Sequence, residues 1–175
     1  MNETDMKEFI YNQNQIPDSQ WRYGFRASAA TGCGWIATYN ALRLMDRYKE
    51  PETLIRYYRG AFPVVNGTFG TLILSIIWFF RQRGFRVRLV VRRSKFDEAI
   101  RDGDACILRY WWCKACRIGT HYAALACRNG RITGYNTFRN SRGPDDYGVS
   151  LQAFIKRQGF FWPMLIVIRN DSQTE

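Results

Sequence analysis

Histidine is almost missing from this chain: its 175 residues contain one, His121. That scarcity excludes a His-rich metal centre and any relay of several imidazoles, and it leaves one side chain for imidazole chemistry. Proline is sparse, at five residues, and no Pro/Gly-rich linker, internal repeat or low-complexity tract interrupts the chain. A solenoid or a string of modules is thereby excluded, and one domain spanning 1–175 is expected, long enough to bury a core. No apolar run approaches the ~20 residues that a bilayer crossing needs; the longest, 72–80, is broken by Ser75 and followed by Arg81 and Arg83. No membrane span is expected. The opening MNETDMKEFI lacks a basic cap ahead of an apolar stretch, so a secretory signal is not expected and a cytoplasmic placement is. Acidic residues are few, 15 against 26 Lys and Arg, for a net charge of +11. The surplus suits an acidic partner, but no sequence-reading motif accompanies it, so no specific nucleic-acid binding is expected. Five cysteines, an odd number, argue against a disulfide framework and for a reducing compartment.

What is present is a globular composition, 46% hydrophobic and 16% aromatic. Residues 1–30 read as an irregular Asn/Gln-containing arm. Thr31 or Gly32 is expected to cap a helix over 33–47, Pro51 to open a short helix closed by Gly60, and a densely apolar third helix to run over 68–83 and stop at Gly84. The pattern then changes to period two. Strands are expected at 85–91, 105–111, 120–127, 131–137 and 162–168, with Asn129-Gly130 as a hairpin turn. Ser94 followed by Asp97 reads as a capping box for a short helix to Arg101, and Ser150 opens a helix that ends at Gly159. Helices first and a mainly antiparallel sheet after them make an α+β fold.

Cys33 stands where the first helix starts, between Gly32 and Gly34, in TGCGWIATYNAL. Unpaired amides and the helix dipole at that end are expected to lower a thiol pKa, and the two glycines to leave the sulfur open to a substrate. A nucleophile there needs a base from another element, and His121, in GTHYAAL, opens a strand. If Asn129-Gly130 is a two-residue turn, 128 pairs with 131 and 121 with 138. Asn136 then shares the face of His121, and its side chain is expected to orient the ring.

The stretches GCGWIATYNAL, GTHYAAL and GYNTF together resemble the papain-like cysteine peptidases, and most closely the small bacterial double-glycine (bacteriocin-leader) peptidases. That resemblance implies a papain-like fold, with the nucleophile at the start of the central helix. It also implies a Cys33–His121–Asn136 triad acting as a thiolate–imidazolium pair, an acyl-enzyme, a peptide or protein substrate, and no cofactor. The leader peptidases usually carry Asp where this chain has Asn136; papains carry Asn. The family's Gln just before the nucleophile is missing, with Ala27 near that place, so Gln13 or Gln15 of the arm is the candidate oxyanion donor. Trp111 and Trp112 open a loop over 111–119 that is expected to form a substrate-contacting rim together with Gly32 and Gly34. The same residues would also serve an acyltransferase or transglutaminase-type enzyme, and a non-catalytic basic binding module is the alternative from another class. Cys113 and Cys116 form a lone C-x-x-C motif, to which only Cys106 and Cys127 could be added; ordinary thiols, with no metal site, are the expectation.

Overall fold

The computed structural model describes residues 9–60, 70–114 and 116–170. The arm is more ordered than its composition suggests. A 3-10 turn over Gln13–Gln15 is capped by Asn12, whose side chain accepts from the Asn14 amide. Two short strands, β1 (Arg22–Tyr23) and β2 (Arg26–Ala27), pair antiparallel and lead into α1 (Ser28–Thr31). Helices α2 (Cys33–Leu44), α3 (Pro51–Gly60) and α4 (Ile73–Arg81) follow. The apolar segment before α4 is shorter as a helix than its pattern predicts, beginning at Ile73, with residues 61–69 outside the described ones.

After α4 come β3 (Arg86–Val90), α5 (Phe96–Ala99), β4 (Ala105–Lys114), β5 (Arg117–Arg128), β6 (Arg131–Tyr135), β7 (Asp145–Gly148), α6 (Leu151–Gln158) and β8 (Phe161–Arg169). The six long-sheet strands lie in the order β3-β8-β4-β5-β6-β7, each pair antiparallel. The fold is α+β. Asn129 and Gly130 both adopt positive φ, 51° and 74°, as a two-residue turn matched to the strand twist requires, and Arg128 pairs with Arg131.

Strand alternation divides the interior in two. Ala105, Ile107, Tyr122, Ala124, Ala126, Ile166 and Ile168 pack beneath α2, α3 and α4. Their neighbours Cys106, Leu108, Tyr110, Ala123, Leu125, Leu165 and Val167 pack on α5 and α6. The period of two therefore covers the sheet on both faces. Helix α2 is enclosed, with every residue except Arg43 buried, and each large apolar side chain there contributes about 1.5–3 kcal/mol. Its polar groups are matched: Thr38 Oγ1 donates to the Gly34 carbonyl at 3.0 Å and meets Tyr58 Oη at 2.6 Å. Asn40 exchanges two hydrogen bonds with the backbone of Ile10, pinning the arm to the helix.

Two local expectations are corrected. Asp97 does not close a capping box with Ser94. Its carboxylate instead accepts from the amides of Leu151 and Gln152, the Ser150 hydroxyl and the Gln152 side chain, so it caps α6 from another element. Ser150 adds its own cap to the Ala153 amide. The expected loop over 111–119 is also largely strand: β4 and β5 continue as a ladder to Lys114 and Arg117.

Candidate active site

Strand β6 leaves the sheet early, and that departure makes the site. Ala124 pairs with Tyr135, and no later pair forms because Asn136 turns into the left-handed region, φ 61°. The projected pairing of 121 with 138 does not occur, and the outer edge of β5 is open upstream of Ala124. The amide of Tyr122, on that stretch, lies near enough to the sulfur of Cys33 to favour its thiolate. The start of α2 therefore sits against the bare edge of the strand that carries His121.

Close packing holds α2 there. A Cβ on Gly34 would lie 2.4 Å from Cβ of Thr71, and one on Gly32 would lie 2.6 Å from the Trp35 indole nitrogen. Both glycines are thus required for close approach, and both are buried. The expectation that they open the sulfur to a substrate is corrected accordingly: Cys33 is 7% exposed.

His121 is half-buried, opposite Tyr110 in the ladder, with ring centroids 5.6 Å apart. Its Nε2 lies 2.5 Å from the backbone carbonyl of Asn136. A carbonyl only accepts, so Nε2 carries the proton and Nδ1 of the neutral ring keeps its lone pair. The side chain of Asn136 faces elsewhere: Oδ1 accepts from the Gln13 amide at 2.9 Å and Nδ2 donates to Gln13 Oε1 at 3.1 Å. The expected side-chain contact to the ring is replaced by a main-chain one, because the left-handed turn at Asn136 swings its carbonyl toward the imidazole. Tyr110 donates its hydroxyl to the Thr137 carbonyl and Thr137 meets the Tyr147 hydroxyl, fixing the next peptide. Sequence reasoning missed Thr137 and Tyr147, and it grouped Tyr110 with the aromatics around the site without the contact it makes here.

Cys33, His121, Asn136 and Gln13 line one cleft of about 940 Å³. Gln13 is buried, and with Oε1 turned to Asn136 its Nε2 donates to the Ala29 carbonyl at 2.9 Å, leaving a second N–H. Gln15 is exposed and does not line the cleft. Trp112 lines the cleft, its indole lying over Gly119, where a Cβ would come within 2.6 Å of the ring. Trp111 points to the other face, edge-on to Trp162 with Arg109 over its ring. Among the cysteines, Cys106 is buried and Cys113 and Cys116 are exposed on the β4–β5 hairpin. Among the described residues, no group of three or more His, Cys, Asp or Glu side chains could hold a metal ion.

Electrostatics oppose a preformed ion pair. Burial pushes the Cys33 thiol up to about 11, against partial relief from the Tyr122, Gly34 and Cys33 amides and the charge of Arg109. Burial also lowers His121, and Arg139 adds to that, while the Asn136 carbonyl opposes it. Each group alone is neutral at pH 7, so the expected depression of the thiol by the helix end is outweighed by desolvation.

The layers and their order match a known structure. A double-glycine-motif protease from an AMS/PCAT transporter, solved in complex with the leader peptide, superposes with a TM-score of 0.52 at 14% identity, over 79% of this chain and 84% of that one. The chain has a papain-like cysteine-peptidase fold. The peptidase domain of Streptococcus ComA, a bifunctional ABC transporter involved in a quorum-sensing pathway, aligns with a TM-score of 0.49 at 14% identity, over 79% of this chain and 91% of that one. No family model and no curated protein matches the chain. No helix among the described residues is long and apolar enough to cross a membrane.

Proposed function

We propose that the protein is a cysteine peptidase or amidase that cleaves a peptide-like amide, with Cys33 as nucleophile and His121 as base. The observation that carries this reading is the ring's polarity: the Asn136 carbonyl accepts the hydrogen bond of Nε2–H and leaves Nδ1 basic, in the cleft that holds Cys33. The fold shared with a leader-peptide protease supports a peptide substrate.

In the proposed reaction the sulfur attacks the substrate carbonyl as His121 Nδ1 takes the thiol proton. Moving that proton creates thiolate and imidazolium charges together, so neither buried group becomes charged alone. The oxyanion is held by the Cys33 amide and the free N–H of Gln13 Nε2. The carbonyl re-forms as the amine leaves with the proton from His121. Water, deprotonated by the same nitrogen, then releases the acid and restores the thiol.

The test is labelling by a peptide acyl-probe, with Cys33→Ala and His121→Ala as controls. Labelling at Cys33 that both substitutions remove supports the reading. A protein that labels equally on Cys113 and Cys116 but not on Cys33 would instead be a binding module on a papain-like scaffold. Faster release of the acyl group by added amines would assign an acyltransferase.

A further inference from the structure

We infer that the cleft selects acidic peptide segments, reading carboxylates about four residues from the bond that is cleaved. This rests on the peptide-cleft reading above. The cleft lining includes Arg22, Arg26, Lys114, Arg117 and Arg139, with Asp18 as its one carboxylate. That five-to-one ratio exceeds the 26 to 15 of the whole chain, so the bias belongs to the cleft beyond the general basicity. All five cations are exposed, and none takes part in an ion pair among the described residues. Elsewhere the protein does pair its arginines, as with Arg88–Asp102 and Arg131–Asp146. Unneutralised charge of one sign along a cleft attracts the opposite sign and penalises the same sign.

Geometry sets the distance. Lys114 and Arg117 face each other at the end of the β4–β5 ladder, and Tyr110 faces His121 further along it. At ~3.4 Å per residue the charged end lies about 14 Å from the base. An extended substrate advances ~3.3–3.6 Å per residue, so these cations meet side chains about four positions from the scissile bond. Arg22 and Arg26, on β1 and β2, supply a second cationic wall to the same cleft. A peptide fits better than a nucleic acid because the cleft is furnished for acyl chemistry, with a thiol and an imidazole beside the open edge of β5.

The experiment measures binding apart from cleavage. Fluorescence anisotropy of Cys33→Ala protein is recorded with one labelled peptide carrying Glu, Gln or Lys four positions from its central bond, on either side, at low and high salt. Wild-type cleavage of the same peptides is followed in parallel. The expected result is roughly tenfold tighter binding of the Glu peptide than of the Gln peptide, with the advantage fading as salt rises. Reversing charge with Lys114→Glu and Arg117→Glu should turn the preference toward Lys, whereas Arg128→Glu, the same change at the far end of β5, should keep it. Equal affinity for Glu and Gln peptides overturns the inference. So does displacement of the Glu peptide by an equal concentration of an oligonucleotide of the same charge, which would assign the surface to nucleic acid. Glu-selective binding with no cleavage of any peptide sustains acidic recognition and rejects the peptidase reading instead.

Discussion

Replacing Asn136 separates two ways of orienting the base. Its carbonyl reaches His121 Nε2, while its buried side chain, in a residue only 2% exposed, is spent on Gln13. Asn136→Gly keeps the carbonyl and adopts φ 61° without strain, but strands the Gln13 amide and carbonyl oxygen, at a cost of about 1–3 kcal/mol. Asn136→Ala loses the same bonds and, unlike glycine, keeps a Cβ in the left-handed region, about 1–2 kcal/mol worse than glycine there. With a urea slope of ~2 kcal/mol/M, the glycine variant should unfold about 0.5–1.5 M earlier than the parent, and the alanine variant roughly 0.5–1 M earlier again. Alkylation of Cys33 by iodoacetamide, followed by peptide mapping across pH, reads the base rather than the oxyanion donor. The glycine variant should keep the parent's profile within about threefold, whereas His121→Ala should slow the reaction strongly. If folded Asn136→Gly reacts as slowly as His121→Ala, the carbonyl does not hold the ring and the argument fails.

Gln13→Ala should lower turnover by about 10²–10³ while Gln15→Ala leaves it unchanged, measured as kcat on any peptide found to be cleaved. Because Cys33 keeps its proton in the folded protein up to about pH 11, its contribution to stability is intact below pH 9. It is lost as pH climbs from 9 through 11, where the unfolded chain releases a proton that the folded one retains. Cys33→Ala should therefore flatten the alkaline fall of stability by up to about 1.4 kcal/mol per pH unit in that window, read by denaturant titration. His121 acts at the other end: its lowered pKa makes its contribution intact above pH 6.5 and lost as pH falls below it, and His121→Phe should soften the acid limb. Asp97→Ala should remove the long-range cap of α6 and cost about 1–2 kcal/mol in thermal unfolding, with no change in the alkylation of Cys33.

Signals written within a few residues were legible in the sequence. Asn129-Gly130 fixed a register that carries down to Ala124–Tyr135, and the Cys33 helix start and the sheet strands fell close to their predicted places. What the sequence did not disclose depends on partners far along the chain. The departure of β6 is stabilised by Gln13, which is 123 residues from Asn136, and Asp97 found its amides on α6 about 54 residues away rather than in its own turn. A left-handed Asn is permitted but not demanded by its own side chain, so neither the reversal of its carbonyl nor the short strand β7 was visible. The height of the thiol pKa was hidden for the same reason. A helix start is a local feature, whereas desolvation comes from burial against elements distant in the chain.

The place of β8 bears on how such a molecule comes into being. It follows every other strand among the described residues, yet it lies between β3 and β4, so β3 waits on it for any partner and β4, already paired with β5, for its second. During synthesis at ~5–20 residues per second, the thiol and the imidazole leave the ribosome well before the strand that completes their supporting layer. A nascent chain carries the proposed nucleophile and base early and acquires the strand behind them later.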